Sequence, residues 1–196
     1  MTPMDADAQS VLDFWFGPAD DPGHAQPRAA WFRKDDAFDA EIAARFGALI
    51  ERALSGALDG WQADPASALA RVIVLDQFTR NAFRGTARSF AGDGLALAAA
   101  RAMVASGQDR RLTGVQRQFV YLPFEHAEDM AAQAQSLALF AQLEREMPAL
   151  AGLLDWAQRH RDIIGRFGRF PHRNAVLQRE SSAEELAFLQ TPGSGF

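Results

Sequence analysis

The residues of this chain best placed to do chemistry are polar groups that continue or interrupt three apolar stripes. One stripe, Leu69, Val72 and Ile73, runs on at helical spacing into Asp76, Gln77 and Arg80, with Asn81 and Arg84 just beyond. A second, Val115, Phe119 and Leu122, runs on into His126 and Asp129, with Glu125 beside them, and a third carries His160 between Ala157 and Ile164. Such side chains face the interior or a groove, where an unpaired polar group costs roughly 1–3 kcal/mol. The three sets must therefore satisfy one another or a ligand. An imidazole among carboxyls is a candidate general acid or base, so His126 is the candidate catalytic residue, with Asp129 or Glu125 to orient it.

The cations point to the sign of the ligand. Residues 159–174 hold Arg159, Arg161, Arg166, Arg169 and Arg173 against Asp162 alone, a local charge of +4 in a chain of net charge −5. His160, His172, Phe167, Phe170 and Asn174 lie in the same stretch. Guanidinium forks match carboxylates and phosphates, so Arg80, Arg84, Arg166, Arg169, His172, Arg173 and Asn174 join the candidate binding set for a small anion or an acidic peptide. A binding module is the first reading, because no nucleophile or cofactor motif accompanies the histidines; an enzyme acting on the anion through His126 is the alternative. Structural roles compete at each place. His126 and His160 could be satisfied core residues, Asp76 and Arg80 an ion pair one turn apart, and Arg166, Arg169 and Arg173 caps for the carbonyls of a helix end.

Other chemistries leave little trace. Gly92-Asp93-Gly94 lacks the spacing and lysine of a phosphate loop, and no Gly-x-Ser-x-Gly elbow or His-Glu-x-x-His pattern occurs. No metal and no cofactor is expected. Trp15, Trp31, Trp61 and Trp156 read as core anchors.

The elements that position these groups are helices. Thr2-Pro3 opens one that runs to about Gly17, a loop follows over 18–28, and Asp35 or Asp36 caps a second that ends near Gly56. Asp64-Pro65 starts a third, and Asp93 is the expected cap of an alanine-rich fourth that ends at Gly107. Thr113 with Gln116 forms a capping box for a fifth, bent by Pro123. A sixth spans about 130–146 and a seventh about 149–167. Residues 168–174 form a turn, and Ser182 with Glu185 caps a short last helix. The fold class is all-α, with antiparallel helical hairpins.

Length and composition agree. A chain of 196 residues with 48% hydrophobic and 23% charged residues suits one domain over 1–196. It has no cysteine, which removes disulfides, thiolate metal sites and a thiol nucleophile and suits a reducing compartment. The start is acidic and no apolar run approaches the ~18 residues of a membrane span, so a cytoplasmic protein is expected, with no membrane partner. Net negative charge argues against duplex nucleic acid. The oligomeric state is open.

Several blocks carry a resemblance. Residues 11–17 (Val-Leu-Asp-Phe-Trp-Phe-Gly), 75–85 (Leu-Asp-Gln-Phe-Thr-Arg-Asn-Ala-Phe-Arg-Gly), 121–129 (Tyr-Leu-Pro-Phe-Glu-His-Ala-Glu-Asp) and 168–174 (Gly-Arg-Phe-Pro-His-Arg-Asn) resemble, in order, the signature blocks of the bacterial family called domain of unknown function 924. That resemblance implies a tetratricopeptide-repeat-like α-α superhelix and no assigned activity. Thr79 stands where family members often have proline.

Overall fold

The structure, a computed structural model, describes residues 4–195; the Thr2-Pro3 cap lies outside them. Among the described residues there are helices and turns and no strand. The helices are α1 (Ala6–Phe16), α2 (Asp36–Leu54), α3 (Pro65–Ile73), α4 (Thr79–Ala82), α5 (Asp93–Ala105), α6 (Gly114–Glu125), α7 (Met130–Glu146), α8 (Leu153–Phe167) and α9 (Ala183–Leu189).

Local chemistry sets most of these boundaries. Asp35 caps α2 by accepting the N–H groups of Ala37 and Phe38, and Asp64 caps α3 with Pro65 in the first turn. Capping boxes close the starts of α6 (Thr113 with Gln116) and α9 (Ser182 with Glu185). Two starts differ from the sequence reading. Asp5, not a residue before it, caps the helix that begins at Ala6. Gly92 occupies the cap position of α5 and Asp93 makes no capping bond, because its carboxylate is engaged by arginines instead.

The third helix, which bears the stripe of Leu69, Val72 and Ile73, is also not continuous. Between α3 and α4 the chain widens into a π-helical turn, Val74–Phe78, whose five residues are all buried. Single π turns of this kind break the 3.6-residue register and recur at functional sites. Its neighbour on one side is the start of α5. A Cβ at Gly92 would overlap the Leu75 carbonyl oxygen and stand 2.9 Å from the carbonyl carbon, so only glycine lets the two backbones approach this closely.

The core runs from α1 to α8. Trp15, Trp31, Phe78 and Phe119 pack in edge-on and stacked ring contacts 4.8–6.0 Å between centroids. α1 packs on α3, α3 on α5 and α6, α6 on α7, and α7 on α8. A second, smaller apolar cluster of Ile163, Ile164 and Phe170, backed by Phe167 and Phe188, fastens the C-terminal segment to the end of α8. Trp15, Trp31 and Trp61 are core residues, but Trp156 is 49% exposed, a correction to the reading of all four as anchors. Its position on α8 sets it at the rim of a cavity.

Candidate functional site

The polar continuations of the three stripes meet at one place. α6 ends at Glu125, and His126 is its C-cap, so the imidazole emerges from the helix end and not from its flank. The π turn presents Asp76 to it: Asp76 Oδ1 lies 2.8 Å from His126 Nδ1 and 2.9 Å from Arg80 Nη1. Gln77 Nε2 donates to the other carboxylate oxygen at 2.6 Å. Asp76 is 1% exposed. Burial alone would raise its carboxyl, but the Arg80 charge and then His126 outweigh it and hold Asp76 ionised, well below the usual carboxylate range.

An ionised Asp76 fixes the tautomer of His126. A carboxylate only accepts, so Nδ1 carries the hydrogen and Nε2 keeps its lone pair. Burial and the Arg80 charge push the His126 pKa down against the pull of Asp76, which favours a neutral ring. With 16% of its side chain exposed, the ring forms part of a cavity wall.

Glu125 sits beside it. Its carboxyl meets His160, whose Nδ1 is 3.2 Å from Glu125 Oε1 and 2.9 Å from the Trp156 carbonyl oxygen. The carbonyl can only accept, so Nδ1 of His160 is also the protonated nitrogen. Burial drives the Glu125 carboxyl up to about 8, with Asp76 adding to the effect, and drives His160 down to about 3, with His126 adding to it. Both shifts favour the neutral form at pH 7. The rings of His126 and His160 are 6.2 Å apart.

Cations close the site. Arg80 reaches from Asp76 to Asp93, at 2.9 Å, and Arg173 meets the same Asp93 carboxylate at 3.1 Å while donating to the carbonyl of His126 at 3.0 Å. That last bond caps the C-terminus of α6, where a cation is favoured. Phe90 and Phe170 flank the Arg173 guanidinium at 4.5 and 4.6 Å. Arg84 and Asn81 hold Asp39 of α2 by bonds of 2.5–2.9 Å.

These groups surround a cavity of about 600 Å³, within the range of small-molecule sites. The turn before α2 supplies Trp31, Phe32, Arg33 and Lys34 to its wall. The π turn and α4 supply Gln77, Arg80, Asn81 and, just past α4, Arg84. α6 supplies Gln118, Leu122, Glu125 and His126, and α8 supplies Leu153, Trp156 and His160. Gly85, Ser89, Phe90, Phe140, His172 and Arg173 complete it.

Of the residues singled out from the sequence, Gln77, Arg80, Asn81, Arg84, Glu125, His126, His160, His172 and Arg173 line this cavity, and Asp76 lies directly behind His126. Four lie elsewhere. Asp129 caps α7 by accepting the N–H of Ala132 at 2.7 Å. Arg166 pairs with Glu184, Arg169 makes a two-pronged pair with Glu185 at 2.6 and 2.8 Å, and Asn174 bonds Ser181 and Arg179. Of the five arginines in residues 159–174, Arg166 and Arg169 are thus spent on α9, Arg161 pairs with Asp162, and Arg159 rests on Trp156. Only Arg173 of those arginines reaches the cavity. Nor do Asp129 and Glu125 orient His126; Asp76, fifty residues upstream, does so.

Sequence reasoning missed Asp93, Gln118 and the Phe32-Arg33-Lys34 wall. Asp93 resembled a helix cap, and the one signal against that was Gly92 before it, a residue without which the close approach to Leu75 fails. Phe32-Arg33-Lys34 sits in a turn with no periodic pattern to draw attention to it.

Comparison with known proteins agrees with this architecture. No curated protein matches the chain. A solved protein of unknown function from Agrobacterium tumefaciens, ATU0120, is 42% identical to it, with a TM-score of 0.81 over 93% of this chain and 96% of the other. The family described as bacterial protein of unknown function (DUF924) matches residues 11–193, and with that span the chain belongs to this family.

Proposed function

We propose that this protein binds a small anionic ligand in the cavity between the π turn, α6 and α8. The observation that carries the reading is the charge of the wall. Arg33, Lys34, Arg80, Arg84 and Arg173 face one carboxyl, Glu125, and that carboxyl keeps its proton at pH 7. Asp36 beside Lys34, and Asp39, Asp76 and Asp93 behind the arginines, offset four of these five charges, which leaves one positive charge in excess. Arg33 and Lys34 are exposed at the mouth, where cations steer an incoming anion. An acidic peptide end would meet the same groups, and duplex nucleic acid would not fit an enclosed wall in a chain of net charge −5.

Titration with inorganic phosphate, sulfate and citrate, followed by calorimetry and by thermal shift, tests this. Saturable binding that Arg33→Gln and Lys34→Gln weaken supports the reading; identical melting with and without each anion at millimolar concentration removes it.

A second reading, turnover of the bound anion, is favoured by the Asp76–His126 contact. A neutral imidazole with its Nδ1 hydrogen fixed is a base at Nε2, and a neutral Glu125 beside it is an acid. Such a pair supports proton transfer without a covalent intermediate, in keeping with a chain that has no cysteine.

The wider setting follows the sequence. The successive packing of α6 on α7 and α7 on α8 supports a tetratricopeptide-repeat-like superhelix, and the continuous core supports one folding unit over 1–196. The absence of cysteine supports a cytoplasmic setting. Among the described residues no helix is long and apolar enough to cross a membrane.

A further inference from the structure

We infer that the ligand is an aromatic acid: an anionic head for the arginine wall joined to a flat apolar body that lies between Phe32 and Trp156. The inference rests on the anion-binding reading and adds what the rest of the cavity demands.

Most of the cavity wall is not charged. Trp31, Leu122, Phe140 and Leu153 present apolar surface, and a bare inorganic ion would leave it wet. The rim is more telling. Five large apolar side chains are exposed among the described residues, and two of them, Phe32 at 65% and Trp156 at 49%, belong to this one cavity. They come from opposite ends of the sequence, the turn before α2 and the first half of α8. Folding alone gives no reason to bring two exposed aromatic rings to the same opening.

Both rings are held ready for stacking. Phe32 lies parallel to Phe119, at 4° between planes and 6.3 Å between centroids, which fixes its orientation from below. The Arg159 guanidinium rests on Trp156 at 4.9 Å and steadies the indole. Arg33 and Lys34 follow Phe32 directly, so an aromatic contact and cationic contacts adjoin on one stretch of chain. A molecule with a flat body and a negative end meets both at once. An aliphatic acid would cover the rings without stacking, and a neutral aromatic would leave the cations unused.

The test uses the full-length protein and three probes at pH 7: 2-naphthoate, acetate and 2-naphthol, with affinities from calorimetry and tryptophan fluorescence. The expected result is that 2-naphthoate binds at least tenfold tighter than either of the others. Phe32→Ala and Trp156→Ala should each erase most of that advantage while changing acetate affinity far less than naphthoate affinity. Equal affinity for 2-naphthoate and acetate, or indifference to the two aromatic substitutions, overturns the aromatic body and leaves the anion site standing. Binding of 2-naphthol as tight as that of 2-naphthoate overturns both.

Discussion

His126 Nδ1 and Asp76 Oδ1 stand 2.8 Å apart, joining the end of α6 to the π turn that follows α3. The bond does two things that neither residue does alone. It keeps a buried carboxylate paired, and it hands the cavity the nitrogen of the imidazole that can take a proton.

Removing the Asp76 charge should therefore be costly. Asp76→Asn leaves Arg80 with Asp93 as its remaining carboxylate, so the loss should fall at the lower end of the about 3–5 kcal/mol that breaking a buried pair costs. His126→Gln, which can still donate to Asp76, should cost about 1 kcal/mol, the size of one ordinary hydrogen bond. Urea unfolding of both variants at pH 7 measures the difference; equal losses would show that the ion pair carries no special weight.

Glu125 gives a pH signature of unusual sign. Its carboxyl is raised from 4.5 to about 8 by burial first and Asp76 second. The folded state thus holds a proton that the unfolded chain gives up above pH 4.5, so folding is progressively opposed from pH 4.5 up to about 8. Glu125→Gln removes that opposition. The stability of the variant relative to the parent should climb by up to about 1.4 kcal/mol per pH unit through this window and level off above it. A pH-independent difference would mean that Glu125 is ionised in the folded protein.

Two neighbouring glycines should respond in opposite directions. Gly92→Ala drives a methyl into the Leu75 carbonyl and should cost at least 2 kcal/mol, about the range of overpacking or beyond, while disturbing the π turn. Gly94→Ala, inside α5 with open space around it, should gain up to about 1 kcal/mol from lower unfolded-state entropy and better helix propensity. Melting curves of the two single variants decide it.

Asp93 sets the strength of the positive wall, because one carboxylate restrains both Arg80 and Arg173. Asp93→Asn should lower stability by about 1.5–3 kcal/mol, the value of hydrogen bonds to charged groups. It should also tighten phosphate binding several-fold, as two guanidinium groups lose their internal competitor. A variant that is less stable and binds phosphate more weakly would show that Asp93 positions the arginines more than it masks them.

How much of this was readable beforehand varies with the range of the interaction. Caps are local, and Asp35, Asp64-Pro65, Thr113 with Gln116, and Ser182 with Glu185 each mark a helix start where the structure has one. The bounds 130–146 of α7 match as well. The meeting of the three polar sets was legible because buried polar groups need partners. The identity of those partners was not. The π turn inserts its extra width into a pattern that reads as ordinary helix, so spacing pairs Asp76 with Arg80 but gives no sign of His126. Arg166 and Arg169 looked like ligand donors because the fold-back of α9, which brings Glu184 and Glu185 to them, leaves no spacing in the sequence. Trp156 reads as a core residue on its type alone, and its exposure is a property of where α8 lies.

Arg173 reaches back eighty residues to Asp93 and, with the same guanidinium, caps the carbonyl of His126. The last part of the cavity wall thus comes from a segment made after the other elements that line it. While the ribosome still holds residues beyond α7, the earlier helices can pack on one another, but the chamber lacks Trp156, His160, His172 and Arg173. Any ligand this chamber holds could enter it only after α8 and the 171–173 turn have been made, and could not template the packing of the helices before them.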